Sequence, residues 1–212
     1  LDPPIFSVAS AQKEIGFATF SEELRLALSR LGRNFSPDDQ NLLDFRVRPF
    51  MTLQMPRIVY RYPREDFVDA DYYIRCTASK KWRKNRPARL DFVAYHSGRR
   101  TLLAGDESVG RLRLLFNLHL EDSVYSFAAI QPLEDLKRSD RQVARRTFKV
   151  AWAERQLAVV PITSIKRAVS VVPILPPICW KEPFAAPDDI FSDAIGFAVN
   201  NRIDYETACA YV

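Results

Sequence analysis

Gly110-Arg-Leu-Arg-Leu-Leu-Phe-Asn-Leu-His-Leu120 decides the fold class. Read in steps of two, Leu112, Leu114, Phe116, Leu118 and Leu120 fall on one face, while Arg111, Arg113, Asn117 and His119 fall on the other. This is the pattern of a β-strand with one buried side. Glu121-Asp122-Ser123 supplies a turn, and Val124-Tyr-Ser-Phe-Ala-Ala-Ile130 returns as the second strand of a hairpin, which Gln131-Pro132 ends. Leu157-Ala-Val-Val160, a turn over Pro161 to Ser164, and Ala168 to Val172 add further strands. The stretch from Val109 to Pro173 is therefore expected to be the core of a mainly β, α+β fold. Two forms fit, a small β-barrel and an open antiparallel sheet.

Outward from this core, Phe17, Phe20, Leu24, Leu28 and Leu31 recur at three- and four-residue spacing. With Ser21 as cap and Glu22-Glu23 in the first turn, they predict an N-terminal helix from Ser21 to Leu31, ended by Gly32. Ser36-Pro37 opens a second short helix to Leu43. Asp44 to Phe50 alternates as a strand, with Phe45 and Val47 inward and Arg46 and Arg48 outward. Further strands are expected over Arg57 to Tyr62 and Leu90 to Tyr95. In the latter, Leu90, Phe92 and Ala94 share one face. A turn at Ser97-Gly98 and a loop at Gly105 to Ser108 lead into the core, and His96 falls in a loop. Leu133 to Lys149 is polar and basic and reads as an exposed loop, followed by a short strand at Val150 to Trp152. Pro173, Pro176, Pro177, Pro183 and Pro187 mark an extended linker, Phe197 to Asn201 a closing strand, and Ile203 to Thr207 the start of a C-terminal helix. The expected division is a helical segment over 1–44, a β-barrel-like domain over 45–173 and a proline-rich linker with its closing elements over 174–212.

Six Gly against fourteen Pro favour extended β structure with long connections over a helical bundle, and 47% hydrophobic content excludes disorder throughout. No apolar run approaches the roughly 20 residues that cross a bilayer, and no leader pattern opens the chain, so an unexported protein with no membrane partner is expected. Three scattered cysteines, Cys76, Cys179 and Cys209, have no zinc-site spacing and fit a reducing compartment. With Leu1 in place of an initiating Met, the chain is expected to be a piece of a longer polypeptide. From Ile174 onward two basic residues (Lys181, Arg202) face six acidic ones (Glu182, Asp188, Asp189, Asp193, Asp204, Glu206), a balance of −4. The first 173 residues thus carry +9 against a total of +5.

Lys80-Lys-Trp-Arg-Lys-Asn-Arg-Pro-Ala-Arg89 concentrates this charge, with six basic residues in ten. Lys80, Lys81, Arg83, Lys84, Arg86 and Arg89 are candidate phosphate contacts and Trp82 a candidate stacking partner; Lys137, Arg138, Arg145 and Arg146 form a second basic group. Arg111 and Arg113 are candidates to extend the patch. The opposing reading of both runs is a solvated loop in a structural or protein-interaction domain. His119 beside Glu121 is the residue an acid–base enzyme would use, yet on the outer face of a strand it is expected to be a polar surface residue. Adjacent acids such as Glu65-Asp66, Asp106-Glu107, Glu121-Asp122 and Asp188-Asp189 are expected to be solvated rather than metal ligands. Tyr60, Tyr62, Tyr72, Tyr73, Trp82, Tyr95, Trp152 and Trp180 offer rings for a cation cage, against the plainer reading of core or interface aromatics. No phosphate loop, nucleophile elbow or metal motif is present, and no cofactor or catalytic residue is expected.

The order of motifs carries a family resemblance. Arg89-Leu-Asp-Phe-Val93, Val109-Gly-Arg-Leu-Arg-Leu-Leu-Phe116, Phe127-Ala-Ala-Ile-Gln-Pro-Leu133, Val160-Pro-Ile-Thr-Ser-Ile-Lys-Arg-Ala-Val-Ser-Val-Val-Pro173 and Phe197-Ala-Val-Asn-Asn-Arg-Ile-Asp-Tyr-Glu-Thr207 follow one another. This succession resembles the C-terminal region of fungal transposase-like proteins of the Plavaka and Kyakuja-Dileera-Zisupton type. The Pro161 to Val172 segment also looks like the barrel of bromo-adjacent homology domains. The resemblance implies an accessory domain of a nuclear, DNA-associated protein whose catalytic carboxylates lie upstream of Leu1. DNA or a nucleosome is the implied partner, with self-association or another protein as the alternative.

Overall fold

The computed structural model describes residues 5–34, 45–50, 52–55, 58–61, 64–69, 72–77, 89–96, 107–120, 123–135, 149–152, 156–174, 194 and 196–199. Strand β1 (Phe6–Ser7) leads directly into helix α1 (Val8–Ile15), which the sequence pattern does not signal. The Ser7 hydroxyl caps it by accepting from the Ser10 N–H at 3.2 Å, and Gly16 ends it at φ 74°. Helix α2 (Phe20–Arg30) starts one residue before the expected Ser21, and its cap position is Thr19. Ser21 lies inside the first turn, where its N–H donates to Gln12 Oε1 of α1 at 3.2 Å. The helix ends as expected at Gly32 (φ 77°), where the Arg33 N–H returns to the Leu28 carbonyl at 3.0 Å. The expected helices at Ser36 to Leu43 and from Ile203 lie outside the described residues, as do the turn at Ser97-Gly98 and the prolines from Pro176 to Pro187.

The rest is strand: β2 (Arg46–Phe50), β3 (Thr52–Met55), β4 (Ile58–Arg61), β5 (Arg64–Asp69), β6 (Tyr72–Thr77), β7 (Arg89–Leu90), β8 (Phe92–His96), β9 (Glu107–Leu120), β10 (Ser123–Asp135), β11 (Lys149–Trp152), β12 (Ala158–Pro161), β13 (Ile165–Val169), β14 (Val171–Ile174) and β15 (Gly196–Val199). All the sheets are antiparallel. The largest runs β1-β2-β9-β10-β11-β15-β14, with β12 also on β10, β8 on β9 and β13 on β8. β3-β6-β7 forms a second sheet and β4-β5 a hairpin. The fold is thus mainly β with two helices and open sheets, and among the described residues no barrel closes. The chain comes nearest to closure at Ser170, where it passes directly from β13, paired to β8, into β14, paired to β15. This covalent step curls the large sheet around a small cluster of Phe92, Ala94, Val109, Leu133, Val169 and Phe197.

From Val109 to Phe116 the long β9 is covered on both faces. On one, Leu114, Phe116, Leu118 and Leu120 pack with Phe127 and Ala129 of β10 and with Val8, Phe20, Leu24 and Leu28 of the helices. Phe116 meets Phe20 edge-on at 5.5 Å and Phe127 at 5.7 Å. Burying each such ring contributes roughly 1.5–3 kcal/mol. On the other face, Leu112, Leu115, Ala128 and Ile130 meet Ile74 and Cys76 of β6, Val93 and Tyr95 of β8, and Val160.

The even alternation expected from Leu112 to Leu120 is therefore broken. Ala129 pairs with Leu114 but Ile130 pairs with Leu112, so Arg113 is an extra residue in β9 and Leu112 turns to the face opposite Leu114. Arg111 and Arg113, expected to point outward with Asn117 and His119, lie on the opposite side. Arg111 is buried, its guanidinium 5.9 Å from the centre of the Phe92 ring, and Arg113 is half-buried over the Phe17 ring at 5.5 Å.

A second break falls at Asp91, between β7 and β8. Leu90 consequently packs with Val93 and Tyr95 rather than sharing a face with Phe92 and Ala94. His96 ends β8 opposite Glu107 instead of lying in a loop. β10 does not stop at Gln131-Pro132 but runs on to Asp135, and Leu133 is core rather than exposed loop. On the edge away from β9, Pro132 falls where β10 changes partner, between the Ile130–Ala158 pair with β12 and the Leu133–Trp152 pair with β11.

Opposite Pro132 stands Gly110. A Cβ there would meet Ile130 Cγ2 at 2.5 Å and the Gln131 carbonyl oxygen at 2.6 Å, and the second of these belongs to backbone that cannot swing aside. Gly110→Ala is expected to lower the unfolding free energy by about 2 kcal/mol or more, read as a lower urea midpoint. Cys76, buried against β9, has its thiol pushed up to about 12, chiefly by burial, with Asp91 adding to the rise and the Leu115 backbone hydrogen bond opposing it. In the native protein at pH 8 Cys76 is expected to resist a thiol reagent, and to be labelled once the chain is unfolded in urea, as mapped by mass spectrometry.

Candidate nucleic-acid interface

The small sheet β3-β6-β7 owes its two-sidedness to strict alternation. Leu53, Met55, Ile74 and Cys76 turn toward the core, which leaves Thr52, Gln54, Tyr73 and Arg75 exposed on the outer face. Register sets Thr52 directly across from Arg75, and Gln54 across from Tyr73. Neighbours on one face of a strand stand roughly 6.8 Å apart along it, so Tyr73 and Arg75 form one short row with Gln54 and Thr52 beside it.

Asp91 fastens this sheet to the large one. Its carboxylate accepts from the Arg75 backbone N–H at 2.8 Å, its own N–H donates to the Arg75 carbonyl at 3.0 Å, and its carbonyl accepts from the Leu112 N–H at 3.0 Å. A single residue thereby holds β6 beside β9, and it is the reason the strand breaks in two there.

Lys80, Lys81, Trp82, Arg83, Lys84 and Arg86 lie outside the described residues, in the connection from β6 to β7. Both ends of that connection are fixed, by pairing of Cys76 with Leu90 and of Thr77 with Arg89, so Arg89 is placed by its backbone as the first residue of β7. The basic run therefore leaves and rejoins the same small sheet that displays Tyr73 and Arg75. Lys137, Arg138, Arg145 and Arg146 also lie outside the described residues, in the connection between β10 and β11.

A second polar surface lies on the large sheet, beyond the part covered by β6. Arg46 and Arg48 of β2 are exposed, as expected, and Arg48 pairs with Asn117, which in turn faces Ser126. The Ser126 hydroxyl donates to Asn117 Oδ1 at 2.8 Å. His119 and Val124 face each other across the same ladder, both exposed. His119 thus has the surface strand position expected of it.

Arg111 and Arg113 do not join either surface. Gln131 Oε1 accepts from Arg113 Nε at 2.9 Å and also from its terminal nitrogen, and Arg167 is buried on the same side of the sheet beside Ala94. Sequence reasoning missed Tyr73 and Arg75 as a pair. The signal was present, since Tyr73-Ile-Arg-Cys76 alternates outward and inward and leads straight into the basic run.

Of the rings considered for a cage, Tyr95 is core and Tyr73 is exposed, so these two do not converge. The side chains of the other rings and of the acidic pairs lie outside the described residues. Among the described residues no group of His, Cys, Asp and Glu is placed to hold a metal ion, and no helix is long and apolar enough to cross a membrane. Comparison with protein-family models, with curated proteins and with solved structures found no match to this chain.

Proposed function

We propose that the chain is a non-catalytic accessory domain of a nuclear, transposase-like protein, and that it contacts DNA or chromatin through its basic connections. The observation that carries this reading is the attachment of the Lys80 to Arg89 run to the β6-β7 pair, whose outer face already exposes Arg75. Cations tethered at one rigid sheet act together on a polyanion, and each phosphate neutralised releases condensed counterions. Arg46 and Arg48 on the large sheet add a second set of exposed cations. The nuclear context rests on the resemblance of the motif order to transposase-like proteins.

The alternative is a structural or protein-interaction domain in which the basic run is incidental, and salt dependence separates the two. Under the proposed reading, affinity for a DNA duplex falls steeply between about 50 and 200 mM salt. The combined variant K80E/K81E/R83E/K84E binds more weakly to every sequence, with a shallower slope of log affinity against log salt, by roughly 0.9 for each phosphate that is no longer neutralised. Binding of neither duplex nor single-stranded DNA at low salt, or binding indifferent to salt, overturns this reading, as does an unchanged slope in the variant.

A further inference from the structure

We propose that the outer face of the β3-β6 pair is a platform for an unpaired nucleic-acid strand, on which Tyr73 stacks against a base and Arg75 meets a neighbouring phosphate. This rests on the nucleic-acid role above and specifies the form of nucleic acid recognised.

The exposure of Tyr73 is the starting point. It leaves 54% of its surface open, while Ile74 beside it and Cys76 beyond are fully buried. The strand therefore packs well, and the ring stands outside the core because alternation puts it there. Its described neighbours on that face, Thr52, Gln54 and Arg75, are polar, and all of them are exposed.

Each of these residues has a use against a single strand. A tyrosine ring offers a π-face to any base, which gives binding without sequence preference. Gln54, directly across from Tyr73, keeps the neighbourhood of the ring polar. Arg75 sits two residues along the same strand, roughly 6.8 Å from Tyr73, and its guanidinium suits a phosphate. Asp91, the acid beside this face, is turned to the Arg75 backbone N–H. Beyond Thr77 the sequence continues into the run of Lys80, Lys81, Arg83, Lys84 and Arg86, which adds positive charge to the connection that leaves this strand.

The choice between paired and unpaired nucleic acid follows from the ring. In a duplex the base faces are already stacked, so an exposed tyrosine on a flat sheet gains nothing from them. In a single strand they are open. The Arg46, Arg48 and His119 surface lacks an aromatic ring among its described residues and makes no such distinction.

The test uses the full chain and two labelled probes, an oligothymidine of about 12 nucleotides and a duplex of the same length, followed by fluorescence anisotropy. Tyr73→Ala is expected to weaken binding of the oligothymidine roughly tenfold, the effect of losing one stacked base, and to leave duplex binding within about twofold. Tyr73→Phe, which keeps the ring, is expected to bind as the parent does. Tyr73→Trp is expected to show an emission change on adding oligothymidine, relative to the parent chain treated alike. Melting curves of the variants matching the parent show that the fold is kept, and the tryptophan signal decides the matter where Tyr73→Ala does not fold.

Unchanged oligothymidine affinity in Tyr73→Ala, or an equal loss for both probes, overturns the platform. If K80E/K81E/R83E/K84E still weakens binding in that case, the broader nucleic-acid role stands. Absence of binding by the parent chain to both probes at about 50 mM salt overturns both readings together.

Discussion

The register shift between Ala129 and Ile130 is the constraint on which the rest of this structure depends. β9 is the strand that every layer touches, through β2, β8 and β10 and through the helices packed on it. With an uninterrupted alternation, Leu112 would lie with Leu114, Phe116 and Leu118, and the floor under the small sheet would lose a major apolar side chain. One extra residue, Arg113, lets Leu112 and Leu115 share a face although they are three positions apart. A bulge that inserts an arginine half inside the protein is tolerable only if its polar groups are met. Gln131 accepts from two of its nitrogens, and the flat cation lies over Phe17 of the helical layer. The same side chain that re-aims the strand thus also ties the sheet to the helices.

Asp91 does for the small sheet what Arg113 does for the large one. A polar residue in the middle of an apolar run ends the alternation, and its three backbone-directed hydrogen bonds join β6 to β9 beside the packing of Ile74 and Cys76. The cluster around Cys76 follows from that joint. Ile74 and Cys76 are drawn against Leu112, Leu115 and Tyr95, and the thiol loses the water its ionised form would need. These two deviations from simple period-two patterning are therefore both places where separate layers are connected.

This explains which parts of the fold were legible in the sequence. The β9-β10 hairpin, α2 ending at Gly32 and β2 with its outward arginines follow from periodicity and end signals that act within a few residues. The bulge was not legible, because Arg113 fits the outward half of an alternating pattern and its true partner, Gln131, is 18 residues away. α1 was missed because its apolar positions are few, and the signals that define it, the Ser7 cap and the Gly16 end, are short. Pro132 misled for a different reason. A proline argues against a central strand in general, but here it stands opposite Gly110 of β9 and at the change of partner from β12 to β11, which only the whole sheet reveals. For the candidate surface, the basic run was plain from composition, whereas its attachment to an exposed tyrosine and arginine depends on the pairing of β6 with β7.

A strand with both faces buried has nothing to offer a partner, and β9 over most of its length is such a strand. The proposed contact therefore draws on elements with one free face and on the connections that leave them. Among the described residues, the large sheet displays Arg46, Arg48, Asn117, His119 and Val124 at its far end, without an aromatic ring. The small sheet is free along the described part of its outer side, because its inner side alone serves the core, and it holds the exposed ring of Tyr73 and the two ends of the most basic run in the chain. The small sheet is also anchored where it matters for the proposed platform, since Asp91 holds the Arg75 position of β6 through two hydrogen bonds to its backbone and joins it to Leu112 of β9, so Tyr73 and Arg75 stand on a strand tied to the large sheet.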